Sequence, residues 1–129
     1  MTDSVSVMQG TQAEALMREL SGWGNTTTII LHSECVFEFK GTFPQGDLSE
    51  GFYNLNSHSS GFGGHINLNV IDSIAFQSRT HRGHESHAFV FQDRYGDAIF
   101  KVFLGRDTDG NLLPKQVENF NKIKSNKAL

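Results

Sequence analysis

From Asn25 to Leu104 apolar and polar residues alternate with a period of two, the spacing of strands half buried against a core. "TTTIILH" and "CVFEFK" predict two strands joined by a tight turn near Ser33–Glu34. "FYNLNS" and "HINLNVI" predict two more, on either side of the glycine-rich "HSSGFGG". "SIAFQSRT", "SHAFVFQ" and "AIFKVFL" complete a set of about seven, the last two joined by the hairpin loop "DRYGD". "TFPQGDLSEG", with Pro44 and two glycines, has turn chemistry, and "GRDTDGN" reads as a polar loop. At both ends the period lengthens to that of a helix. Ala13, Leu16, Met17 and Leu20 form one apolar face after a Thr11–Glu14 capping box, and Gly22 and Gly24 close it. "LLPKQVENFNKIK" puts Pro114 in a first turn and Leu113, Val117, Phe120 and the stem of Lys124 along one side, with lysines at the end favoured by the helix dipole. "MTDSVSVMQG" has no period and predicts a loose terminus over residues 1–10. Helix, consecutive strands with short connections, then helix predict an α+β fold. Its expected form is an antiparallel meander with both helices on one side, in a single domain over 1–129.

Alternation also assigns faces. In "GHINLNV" Ile66, Leu68 and Val70 face the core, and His65, Asn67 and Asn69 take the other side. In "TIILH" Thr28, Ile30 and His32 share a face, opposed to Ile29 and Leu31. "HAFVF" sets His87, Phe89 and Phe91 against Ala88 and Val90. "AIFKVFL" is apolar on both faces except at Lys101, which predicts a strand covered on both sides. Eleven Phe, against one Trp and two Tyr, either fill the core or in part line a cleft for a flat apolar ligand; composition leaves both open.

At 129 residues and a net charge of −3, with acids and bases mixed along the chain, there is no basic footprint for nucleic acid. No apolar run approaches the length of a membrane span. The lone Cys35 cannot form an internal disulfide, which fits a reducing cytoplasm; in "ECVFEF" it reads as a buried structural thiol. "RTHRGHESHAF" places His81, His84 and His87 at even spacing. Gly83 and the flanking strands make this a turn, in which the spacing is not expected to converge the rings as a helix would, and the order H-E-x-x-H is absent. There is no G-x-S-x-G elbow. "GFGG" precedes a strand, so it reads as a flexible lip and not a phosphate loop. Glu38, Glu50, Asp72 and Glu85 are scattered and form no acid/base pair. Arg79 and Arg82, charged and at a strand end, are candidates for an anionic group.

"WGNTTTIILHSECVFEFKGTFPQG", "GFYNLNS", "GGHINL", "IAFQSR" and "IFKVFLGRDTDGNLLPKQVENF" together resemble the ChuX/HutX family of intracellular haem-utilisation proteins, from about Trp23 to Ile123. The resemblance implies a large, strongly bent antiparallel sheet with flanking helices, similar to one half of the longer HemS/ChuS-type proteins. It also implies a homodimer, haem bound in a cleft, and delivery to a haem-degrading or iron-releasing partner. Family members carry a longer helical N-terminal region than the residues before Trp23 here, where a docking or regulatory role is expected to be missing. His65 in "GGHI" matches a family histidine implicated in haem binding, and His32 corresponds to a second. Arg79 and Arg82 become propionate candidates, and His87, beside Phe89 and Phe91, a possible rim of the pocket. The expectation is a cytoplasmic, non-enzymatic haem carrier without membrane insertion. A haem-degrading enzyme, or a fold homologue that has lost its ligand, are the alternatives.

Overall fold

A computed structural model describes residues 7–56, 58 and 61–129. Its elements in chain order are β1 (Val7–Gln9), α1 (Ala13–Leu20), β2 (Asn25–His32), β3 (Cys35–Thr42), β4 (Gly46–Ser49), β5 (Phe52–Leu55), β6 (Gly64–Asn67), β7 (Ser73–His81), β8 (His84–Gln92), β9 (Ala98–Leu104) and α2 (Pro114–Asn126). The α+β class, the antiparallel pairing and the flanking helices are as the sequence predicts. The strands form two sheets, a six-stranded one in the order β1-β7-β8-β9-β2-β3 and a three-stranded β4-β5-β6. The pairing of β9 with β2 joins two hairpin-built pieces that are distant in sequence.

Ladder register explains the core. One face of the large sheet runs Met8, Ile74, Phe91, Phe100, Ile30, Phe37 across the six strands. Phe76, Phe89, Val102, Thr28 and Phe39 form the next row on that face. α1 covers it with Ala13, Leu16, Met17 and Leu20, and α2 with Phe120 and Ile123, all in one core cluster. The Phe120 ring meets Phe76 and Phe89 at centroid distances of 5.7 and 4.9 Å. The reverse face carries Ala75, Val90, Lys101, Ile29 and Glu38 in one row and Gln77, Ala88, Phe103, Thr27 and Lys40 in another. None of these joins the core cluster, so β9 is covered by helices on one side only, and Lys101 and Phe103 stay half buried.

Several local expectations change. The loose terminus over 1–10 is narrowed, because Val7–Gln9 pairs with β7 and buries Met8; residues 1–6 lie outside the described residues. Gly10–Gln12 is a 3-10 turn, so Thr11 precedes the helix too early to cap it, and Glu14 instead pairs with Arg18 at 2.9 Å. The stretch read as turn around Gly46 contains the short β4. Strand β6 stops at Asn67, and Leu68–Val70 is a 3-10 turn closed by the Asn67 side chain accepting from the Asn69 N–H at 3.0 Å, which leaves Val70 exposed and not in the core. Cys35 is exposed, because the β2–β3 hairpin outruns the core. In α2 the buried face includes Gln116, which hydrophobic spacing passes over. Its side chain accepts from Gly105 N–H (2.7 Å) and donates to the Trp23 and Asn25 carbonyls (3.0 and 2.9 Å), tying the start of β2 to the end of β9.

Candidate functional site

The inner face of the β2–β3 hairpin leaves the core as it climbs. Its cross-strand pairs are Thr28 with Phe39, then Ile30 with Phe37, then His32 with Cys35. Exposure rises along the same line, from 1% at Thr28 to 38% at Ile30 and 58% at Phe37. The two-residue turn Ser33–Glu34 has φ of 50° and 65°, which gives the twist that tight hairpins need. The result is an aromatic and aliphatic shelf open to solvent.

The small sheet stands against this shelf. Tyr53, Leu48 and Ile66 share its inward face by register, while Phe52, Asn54, His65 and Asn67 share the outward one, as alternation predicts for His65. Between the sheets is a cavity of about 210 Å³ lined by Thr28, Ile30, Phe43, Leu55, Phe62, Ile66, Ile99 and Phe100, with Gly63, Gly64 and His65 at its border. A register irregularity at Phe91–Gln92, opposite the start of β9, accompanies the placing of both Ile99 and Phe100 on this lining. Phe62 packs on Phe39 and Phe43 at 4.7 and 6.0 Å, so the described part of the expected lip closes one wall; residues 57, 59 and 60 of that loop lie outside the described residues. The Thr28 hydroxyl is buried without a hydrogen-bond partner among the described residues. A space of this size is below the roughly 300–1,000 Å³ of sites that swallow a drug-sized ligand, so a large flat ligand would insert an edge and rest on the shelf.

His65 is exposed. Its Nδ1 lies 2.5 Å from Asn54 Oδ1 and its ring stands edge-on to Phe52 at 6.4 Å. Among the described residues no hydrogen bond engages Nε2, which in the Nδ1–H tautomer has a lone pair to offer a metal.

The other candidates are placed as follows. His32 ends β2, exposed, on the shelf side with Thr28 and Ile30. His87 is buried on the inner face of β8; Ser78 Oγ lies 2.7 Å from its Nδ1, and Glu85 holds its Nε2. His81 and His84 are direct cross-strand partners around the turn Arg82–Gly83, with φ of 53° and 79°. The even spacing therefore does bring two histidines side by side, because a two-residue hairpin pairs positions three apart, but it turns His87 to the opposite face. No cluster of three or more metal-ligating side chains occurs among the described residues. Arg79 lies on the reverse face of the large sheet, where burial and then the Arg79 charge lower the pKa of Lys101. Arg82 sits in the turn. A wider groove of about 680 Å³, bordered by Gly10, Val70, Asp72 and Tyr95, has no histidine in its lining.

The profile of the haem utilisation ChuX/HutX family matches residues 6–123. The chain belongs to the ChuX/HutX family. It is 37% identical over 118 residues to the intracellular heme transport protein HutX of Vibrio cholerae, covering 92% of this chain and 61% of that protein, so it spans about three-fifths of the curated relative's length. A solved structure of the heme binding protein ChuX superposes with a TM-score of 0.86 at 31% identity, over 95% of this chain and 77% of that one. The Escherichia coli heme oxygenase ChuS superposes at 0.71 with 13% identity over 92% of this chain and 38% of that one, a likeness of fold alone. ChuX/HutX membership accounts for the shared sheet architecture. Sequence reasoning missed Asn54 as the partner of His65; its position opposite His65 follows from the β5–β6 register, which the intervening loop conceals. No helix among the described residues is long and apolar enough to cross a membrane.

Proposed function

We propose that this chain binds haem on the hairpin shelf at the exposed rim of the small sheet, with His65 as the iron ligand, and carries it inside the cell without degrading it. The observation behind this reading is the exposed His65, which borders an apolar cavity and whose Nε2 has no hydrogen-bond partner among the described residues. Haem needs a nitrogen or oxygen donor for iron, an apolar surface for the macrocycle and solvent or cations at the propionates. The His65 Nε2, the Ile30–Phe37 shelf and its open edge supply the first two and leave room for the third. The names of HutX and ChuX as heme transport and heme binding proteins add support. His32, on the same side of β2 as Ile30, stands as the second contact. His87 has both nitrogens engaged, Arg79 lies on the reverse face and Arg82 in the distant turn, so the reading gives them no contact with the macrocycle.

The homodimer belongs to the same reading. The reverse face of the large sheet, with the half-buried Ile29 and Phe103 and no described helix residue of the core cluster over it, suits a second copy. Handing the cargo to a haem-degrading or iron-releasing partner completes it.

Haemin titrated into the purified protein is expected to shift the Soret band with saturable stoichiometry, and His65→Ala to weaken binding or alter the spectrum. An unshifted Soret band in wild type, or an unchanged His65→Ala spectrum, rejects the site. Loss of the Soret band on adding reductant and oxygen with catalase present would reject transport in favour of degradation. Light scattering should return twice the chain mass.

A further inference from the structure

We infer that Asn54 is a positioning residue that fixes the tautomer of His65 and aims its Nε2 at the iron, an inference that rests on the ligand role proposed for His65. The argument begins with the amide. Asn54 Nδ2 lies 3.3 Å from each of three backbone carbonyls, those of Asp47, Ser49 and Phe52. Turning the amide over would set Oδ1 against three oxygens, so Nδ2 occupies this cage and Oδ1 faces His65. Oδ1 is an acceptor only. At 2.5 Å from it, His65 Nδ1 must carry the ring proton, and Nε2 must carry the lone pair. The imidazole is thus set as an Nε2 donor before any ligand arrives.

The strand register makes this pairing. Asn54 and His65 are direct cross-strand partners of β5 and β6, side by side on the outward face, and Phe52 meets the ring edge-on. The amide is held by the carbonyls of β4, of the β4 end and of its own strand, so the small sheet itself is the scaffold. A partner of this kind on the far nitrogen orients a metal-bound histidine and sets its basicity. A neutral amide withdraws the Nδ1 proton less than a carboxylate would. His65 therefore stays a plain imidazole and not an imidazolate-like donor, which suits a ligand that must let its cargo go.

The experiment has one arm without haem and one with it. In the free protein labelled with ¹⁵N-histidine, long-range ¹H–¹⁵N spectra are expected to show His65 as the Nδ1–H tautomer; the Nε2–H tautomer would overturn the inference. Asn54→Leu should release the ring to a mixture of tautomers; an undiminished Nδ1–H population in that variant would also overturn the inference. With haemin, Asn54→Leu is expected to lower affinity by about 10- to 100-fold. Wild-type affinity in Asn54→Leu, with His65→Ala still weakening binding or altering the spectrum, overturns the inference and leaves the His65 ligand standing. An unchanged His65→Ala spectrum overturns the ligand itself, and the positioning role with it. Circular dichroism of Asn54→Leu checks that β4–β6 is intact.

Discussion

His65 and His87 both begin an apolar alternation, "HINL" and "HAFVF", yet the fold treats them in opposite ways. His87 lies at 8% exposure with Ser78 on one nitrogen, Glu85 on the other and the Phe120 ring 5.1 Å away. His65 stands exposed with one nitrogen bound to Asn54 and the other unengaged. A histidine with both nitrogens committed is a fastener; one with a single committed nitrogen is oriented and still has a lone pair to give. Nitrogen by nitrogen accounting separates the two where residue type and strand position do not.

The contrast can be broken from the structural side first. Phe120→Ala, which strips the ring from against His87, Phe76 and Phe89, is expected to cost about 3–5 kcal/mol in urea unfolding. A cost under about 1 kcal/mol would mean that the α2 face collapses readily and His87 is not locked. His87→Leu should cost about 1 kcal/mol and leave haemin titration unchanged, since its polar partners Ser78 and Glu85 reach solvent. Reduced haemin affinity in that variant would move the ligand site to β8. His65→Ala should shift stability by no more than about 0.5 kcal/mol while changing the haem spectrum, the inverse of His87→Leu. The smallest effect concerns pH. Burial, and next the Arg79 charge, hold the Lys101 pKa below its ordinary 10.5. Between the lowered value and 10.5 the unfolded chain binds more protons, so stability contributed by this group rises with pH. Lys101→Met should flatten that rise in denaturant midpoints measured from neutral to basic pH; an undiminished slope would place its origin elsewhere.

Sequence alternation separated the two faces of β2, β6 and β8, because one buried face forces a period of two. It did not carry β1 or β4, three and four residues long, too short to establish a period and set in polar or turn-rich surroundings. Cys35 followed the alternation but sits where the hairpin has outrun the core, a fact of tertiary extent. Gln116 was hidden because its contribution is three hydrogen bonds and not apolar area. For the candidate site, His65 and its face were legible, whereas Asn54 was an ordinary polar strand position until the β5–β6 register set it opposite.

The Gln116 clamp has a further consequence, for the order of events during synthesis. It joins residues 93 and 91 positions apart, and β2 waits for β9 across much the same span. Emerging from the ribosome, the β2–β3 hairpin must leave the ladder of β2 that faces β9 unpaired until most of the chain has been made. Such non-local closure makes for slow folding, and in that interval the β2 edge that β9 later takes is open to another nascent chain.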